Sequence, residues 1–133
     1  MPAKPRILIA DDNEATRYLF RLLTEVDCEV IGEVENGDQA VKAVQELHPD
    51  VLVMDISMPG MSGFQAAATI LERRPDVLII LASEYADPSY AEEALRRGIK
   101  GYVMKSKAGS ELVPAIQKVL AGSTFCSSRV SSA

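Results

Sequence analysis

Five side chains capable of chemistry stand directly after short apolar runs. Asp11 and Asp12 follow RILIA (6–10), Asp55 follows VLVM (51–54), Ser83 follows VLIILA (77–82) and Lys105 follows GYVM (101–104). If those runs are strands of one sheet, about 4.8 Å apart, three carboxylates, a hydroxyl and an ammonium meet at one edge. Like charges at about 4 Å repel by about 1 kcal/mol in water and several-fold more in a partly dry cleft. Protonation of one carboxyl would relieve this, as in paired-acid hydrolases, but three acids with a lysine nearby suit a hard divalent cation better. Mg²⁺ takes one or two carboxylates plus water and accepts phosphate oxygens, whereas Ca²⁺ asks for more protein oxygens than this set supplies. A carboxylate beside bound Mg²⁺ can also be a nucleophile toward phosphorus, forming an aspartyl phosphate. Ser83 would donate to a phosphoryl oxygen, and Lys105, about 10 Å away at the backbone, reaches it with a long flexible stem.

The elements that must carry these residues follow from periodicity. Short apolar runs alternate with segments of helical period, the pattern of consecutive βα units around a parallel sheet. Strands are expected at 6–10, 29–34, 51–54, 77–82 and 101–104, and helices at 14–26, 38–47, 63–73, 88–97 and 109–121. Leu19, Leu22, Leu23 and Val26 form the expected inward stripe of the first helix, and Leu112, Ile116, Val119 and Leu120 that of the last. Such an α/β sheet has strand order 2-1-3-4-5, with its ligand crevice at the carboxyl ends of strands 1 and 3. Singly, each polar residue has a plainer role. Asp11, Asp12 and Asn13 could cap the first helix, Ser83 and Lys105 could be solvated chain ends, and Tyr102 could be packing. Their landing together on one edge is the argument for chemistry.

Composition narrows the function classes. The chain has 133 residues, 47% hydrophobic and 25% charged, enough for one domain with a core. A net charge of −5 without a clustered basic face argues against direct nucleic acid contact. No apolar run reaches the roughly 18 residues of a membrane helix, so a cytoplasmic location and no membrane contact are expected. Cys28 and Cys126 are far apart and read as reduced structural thiols, and the single histidine, His48, reads as a surface turn residue. The tail GSTFCSSRVSSA is Ser-rich and aperiodic, so residues 1–122 are expected to form the domain and 123–133 a frayed tail or the start of a linker.

Four stretches together resemble one family. ILIADDNE is similar to the acidic first-strand motif of response-regulator receiver domains in two-component signalling, and DVLVMDISMPGMSG to their phosphoacceptor motif, with Pro59 and Gly63 in the following loop. LIILAS ends in the Ser/Thr position, and GIKGYVMKS supplies the aromatic and the lysine. The C-terminal third is most similar to receivers of LuxR/NarL-type DNA-binding regulators. The resemblance implies a flavodoxin-like (βα)5 fold and a phosphoryl group received on Asp55 from a histidine kinase or small phosphodonor, with phosphotransfer proteins as further partners. It implies Mg²⁺ held by Asp12, Asp55 and the Ser57 carbonyl, with Asp11 acting through water. It further implies a switch pair, Ser83 and Tyr102: as the hydroxyl moves toward the phosphoryl group, the ring turns inward and alters the face of helix 4, strand 5 and helix 5. Receivers of this kind often dimerise on activation and act as switches rather than turnover enzymes. Two positions depart from the pattern. Ser106 stands where many receivers have Pro, and Glu84 replaces a small residue bordering the phosphoryl route. Glu84 and the adjacent Tyr85 are therefore expected to modulate access to the site.

Other classes remain. A Mg²⁺-dependent phosphoaspartate hydrolase of the haloacid-dehalogenase kind usually has a second Asp two residues after the nucleophile, where this chain has Ser57. A nucleotide or flavin module lacks its signature, since neither GxxxxGK[ST] nor GxGxxG occurs. A degenerate receiver, acting as a phosphorylation-independent interaction domain, is the reading that Glu84 supports.

Overall fold

The computed structural model describes residues 3–127. The elements run β1 (Arg6–Ala10), α1 (Glu14–Thr24), β2 (Glu29–Val34), α2 (Gly37–Leu47), β3 (Val51–Asp55), α3 (Gly63–Arg73), β4 (Leu78–Ser83), α4 (Pro88–Arg96), β5 (Gly101–Met104), α5 (Ala108–Leu120) and β6 (Phe125–Cys126). All strand pairs are parallel, in the order β2-β1-β3-β4-β5-β6. The five βα units and the 2-1-3-4-5 order are as the sequence predicts; the sixth strand is an addition.

Side-chain alternation builds two cores. Leu8, Ala10, Leu52, Met54, Ile79, Leu81 and Tyr102 face α2, α3 and α4, meeting Ala40, Val44, Ala66, Ile70 and Ala94. Ile7, Ile9, Val51, Val53, Ile80 and Val103 face α1 and α5, meeting Phe20, Leu112, Ala115 and Ile116. β3 is buried from end to end, apolar from Val51 to Met54 as a strand covered on both faces requires, with Asp55 closing it at the sheet edge.

The stripe expected on α1 is rotated. Leu19, Leu22 and Val26 are exposed, Leu23 is partly packed, and the buried residues are Phe20 and Thr24. A shift of one position is a turn of about 100°. The Phe20 ring joins the core formed with α5, and the Thr24 hydroxyl donates to the Phe20 carbonyl at 2.8 Å. The helix ends at Thr24, leaving Val26 outside it. In α5, Leu112, Ile116 and Val119 are buried as expected, but Leu120 is exposed.

The sixth strand explains part of the serine-rich tail. Phe125 and Cys126 pair with Gly101 and Tyr102, extending the sheet beyond β5. α5 lies on the face opposite α2–α4 while the chain steps in the same direction, so this crossover has the opposite hand to the three before it. That hand is strongly disfavoured for full strands, and here it serves only two residues. Ser127 anchors them. Its amide donates to the Tyr102 carbonyl at 2.9 Å, while its buried hydroxyl accepts the Met104 N–H at 2.9 Å and donates to Glu111 Oε1 at 2.6 Å. Serine content hides this role, because it reads as linker composition. The tail's remaining residues, 128–133, lie outside the described residues.

Removing the Ser127 hydroxyl strands an amide and a carboxylate oxygen. Ser127→Ala is therefore expected to lower unfolding stability by about 1–3 kcal/mol in a urea titration; a loss within error would show that this anchor is not structural.

Candidate functional site

The site lies at the carboxyl ends of β1, β3 and β5. The register sets Ala10 opposite Met54 and Asp55 opposite Ala82, so the next residues of these strands reach the same edge. Asp11 is fully buried, and its amide donates to the Val34 carbonyl at 3.0 Å. Its Oδ1 accepts the Asn13 N–H at 2.8 Å. Asn13 also caps α1 through its side chain, which accepts from Thr16 N–H at 2.9 Å. The cap role and the acidic role thus coexist in this loop: Asn13 caps, and Asp11 turns inward.

Asp55 closes β3 and is 5% exposed. Its Oδ1 accepts the Ser57 N–H at 3.1 Å. The loop behind it is fastened by Ile56 N–H to the Ala82 carbonyl at 3.2 Å and by Gly63 N–H to the Ile56 carbonyl at 2.9 Å. Gly63 is required there, because a Cβ would stand 2.6 Å from the Asp55 carbonyl oxygen. Ser62 and Gln65 form a reciprocal cap that starts α3 directly after this contact.

Lys105 joins the acids. Its ammonium lies 2.8 Å from Asp11 Oδ2 and 3.2 Å from Asp55 Oδ2, in a side chain 15% exposed. Asp11 Oδ2 thus has the Lys105 ammonium as its partner. Burial by itself would lower the Lys105 pKa, but hydrogen bonding and charge from Asp11 and Asp55 outweigh it, and the net shift is upward. The ammonium stays charged.

Asp12 completes the cluster from an exposed position. One carboxylate oxygen each from Asp11, Asp12 and Asp55 lie within 4.8 Å of one another. With all groups ionised, three carboxylates against one ammonium leave a charge of −2, which a divalent cation balances. The oxygen donor set fits a hard metal ion, and this cluster can hold one.

A cleft of about 190 Å³ opens onto the cluster, lined by Asp12, Asn13, Thr16, Asp55, Ser57, Glu84, Tyr85 and Lys105. Glu84 and Tyr85 are at its mouth, both exposed. Larger grooves exist elsewhere, one lined by residues of α2 and α3 and one beside Tyr18, but neither is lined by any of Asp12, Asp55 and Lys105. Ser83 is buried behind the cleft and accepts the Tyr85 N–H at 2.9 Å. The Tyr102 ring lies inside the fold, 1% exposed, with its hydroxyl donating to the Tyr85 carbonyl at 2.9 Å. Burial pushes the Tyr102 phenol pKa up, so it remains a donor. Serine, tyrosine and the Tyr85 backbone form one connected group.

Sequence reasoning missed two residues beside the site. Arg17 donates to the Asp11 carbonyl at 2.7 Å and pairs with Glu33 on β2. The available signal was a cation three residues before Phe20, on what proves to be the buried face of α1.

Burial is the chief cause that raises the Asp55 pKa; the Asp11 charge adds to it, and the Ser57 amide and Lys105 oppose it. An acid raised in the fold adds stability fully below its unfolded value, about 3.9, and loses it as pH rises through the folded value. Asp55→Asn cannot ionise and leaves Lys105 its Asp11 partner. It is expected to melt above the parent chain at neutral pH, with the difference shrinking toward acid; a pH-independent difference would contradict this electrostatic account.

Comparison with known proteins agrees with the geometry. The family described as "Response regulator receiver domain" matches residues 7–117. The oxygen regulatory protein NreC of Staphylococcus carnosus (strain TM300) is 37% identical over 123 residues, covering 90% of this chain and 57% of NreC. The response regulator GacA of Pseudomonas viridiflava is 32% identical over 127 residues, covering 94% of this chain and 59% of GacA. The chain thus spans a little under three-fifths of the length of these curated relatives. A two-component response regulator of the LuxR family from Aurantimonas sp. SI85-9A1 superposes with a TM-score of 0.92 at 31% identity, covering 96% of this chain and 93% of that one. The receiver domain of the NarL regulator from Mycobacterium tuberculosis gives 0.85 at 28% identity, covering 91% and 99%. By family match, relatives and fold alike, the chain belongs to the response regulator receiver domains, of the kind found in LuxR/NarL-type regulators.

Proposed function

We propose that this receiver is a phosphorylation-controlled switch whose acceptor is Asp55. The observation that carries this reading is the buried Asp55 carboxylate, paired with Lys105 and opening with Asp12 onto one small cleft. The donor is a histidine kinase, a phosphotransfer protein or a small phosphodonor. An Asp55 oxygen forms the new O–P bond as the bond from phosphorus to the donor's leaving atom breaks, and the leaving atom keeps the electron pair. Asp12, Asp55 and the Ser57 main-chain carbonyl would hold Mg²⁺, with Asp11 acting through water. Bound there, Mg²⁺ would neutralise charge on the phosphoryl oxygens. Lys105 supplies the protein's own positive charge to the transferring group. Ser83 donates its hydroxyl to a phosphoryl oxygen.

The response follows from that last contact. Ser83 accepts the Tyr85 N–H and Tyr102 donates to the Tyr85 carbonyl, so a Ser83 hydroxyl drawn toward a phosphoryl group shifts the balance of the Tyr85–Tyr102 group. The face of α4, β5 and α5 carries the change outward as a population shift. Tyr102 already stands inward in the conformation described here, so the shift acts on its hydrogen bond to Tyr85 rather than through an inward turn of the ring. The output is transcription through a DNA-binding region following the receiver, reached through the segment from residue 123 onward, in the cytoplasm, with dimerisation on activation. Relatives bearing names such as transcriptional regulatory protein DegU support this output.

Glu84 and Tyr85 modulate access. A carboxylate at the mouth of an already acidic cleft repels an incoming phosphodonor. The same feature favours the second reading, an interaction domain that works without phosphorylation.

Incubation with a small phosphodonor and Mg²⁺ is expected to add about 80 Da, one phosphoryl group, to the parent chain and nothing to Asp55→Asn. No gain on the parent chain would favour the phosphorylation-independent reading, and a gain surviving Asp55→Asn would refute the acceptor. In the same assay Glu84→Ala is expected to be phosphorylated several-fold faster, in keeping with removal of a like charge at close range; equal rates would reject the gating role.

A further inference from the structure

Arg17 is a cation on the inward face of α1, with a side chain only 14% exposed. Nη1 donates to the main-chain carbonyl of Asp11 at 2.7 Å. Nε lies 3.5 Å from Oε1 of Glu33, whose Oε2 accepts from Arg21 Nε at 2.6 Å. Glu33 is on β2, directly opposite Ile9 of β1. The guanidinium is therefore held between a strand neighbouring the site and the loop that carries the acids.

The atom it grips is informative. The Asp11 carbonyl belongs to the peptide linking Asp11 to Asp12. The Asp11 amide is already held by Val34, and its carboxylate by Asn13 and Lys105. With the carbonyl also held, the plane of the Asp11–Asp12 peptide is set, and with it the direction in which Asp12 leaves the backbone. Asp12 needs such help, because among the described residues nothing hydrogen-bonds its exposed carboxylate.

We propose that Arg17, locked by Glu33, is a positioning residue that orients Asp12 for the divalent cation. This rests on the reading of the acidic cluster as a Mg²⁺ site. Electrostatics and positioning predict opposite signs, which makes the idea sharp. Arg17 is a positive charge beside a cation site, so as a charge alone it weakens metal binding, and its removal should tighten binding. As a brace it strengthens binding, and its removal should weaken it, as the loss of outer-shell partners typically does by 10–100-fold.

The test is calorimetric titration of the whole chain with Mg²⁺ alone, at a temperature where every variant is folded by its amide spectrum. Arg17→Met keeps the apolar stem and removes the donor and the charge. It is expected to bind Mg²⁺ about 10-fold more weakly than the parent chain, with Arg17→Lys recovering part of the loss. Affinity equal to or above the parent's in folded Arg17→Met overturns the proposal. If Arg17→Met does not fold, Glu33→Gln carries the same test from the other end of the brace: several-fold weaker binding supports it, and unchanged binding overturns it. A parent chain that takes up no Mg²⁺ is a distinct outcome, overturning the cluster reading and this inference with it.

Discussion

The Lys105 ammonium, held between Asp11 and Asp55, is the contact on which the rest of the site depends. It joins the ends of β1, β3 and β5, of which β1 and β3 are neighbours in the sheet and β5 lies one strand further along, beyond β4. Desolvating two carboxylates and an ammonium is costly, and a buried pair that loses one member typically destabilises by about 3–5 kcal/mol. The arrangement persists because the remaining oxygens are satisfied locally, by Asn13 and Ser57 amides. It also leaves the cluster net negative, so the site is stable enough to fold and unbalanced enough to attract a divalent cation.

The sheet makes that contact reproducible. Every strand near the site is buried on both faces, and the alternation of side chains between two helical layers fixes register, since a one-residue slip would exchange the two cores. With register fixed, the residue after each strand has one place to go. Gly63 lets α3 start against the Asp55 peptide, and Arg17 secures the Asp11 peptide from the opposite layer. The acids are thus held by backbone contacts from both helical layers.

The far side of the site is where a chemical event could be read out. Ser83, the Tyr85 backbone and the Tyr102 hydroxyl share hydrogen bonds, and Tyr102 pairs in register with Cys126 of β6. Ser127 then bonds the backbones of Tyr102 and Met104, the latter preceding Lys105. The segment leaving the domain therefore rests on the strand that carries both the switch aromatic and the site lysine. A two-residue strand with an unfavourable crossover is a weak partner for β5, which makes it a natural place for a small change to be felt.

Much of this was legible in the chain itself, and the line between legible and hidden is physical. Strand ends are marked locally: an apolar run stops and a polar residue begins, so Asp11, Asp55, Ser83 and Lys105 announced a common edge once the βα pattern was recognised. Family motifs in the same stretches pointed the same way. Helix rotation is not local. Leu19, Leu22 and Val26 satisfy the period as well as Phe20 and Thr24 do, and only the space left by α5 and the sheet decided which face turned inward, carrying Arg17 to the acidic loop. Ser127 was hidden for a related reason, because a serine reads as linker until a stranded amide and a carboxylate are found around it. The sequence by itself determined the order of the elements and the chemical groups at their ends, since both depend on near neighbours along the chain. The tertiary structure alone decided the inward face of α1, the sixth strand and the brace on Asp11, since each depends on groups that folding brings together from distant positions.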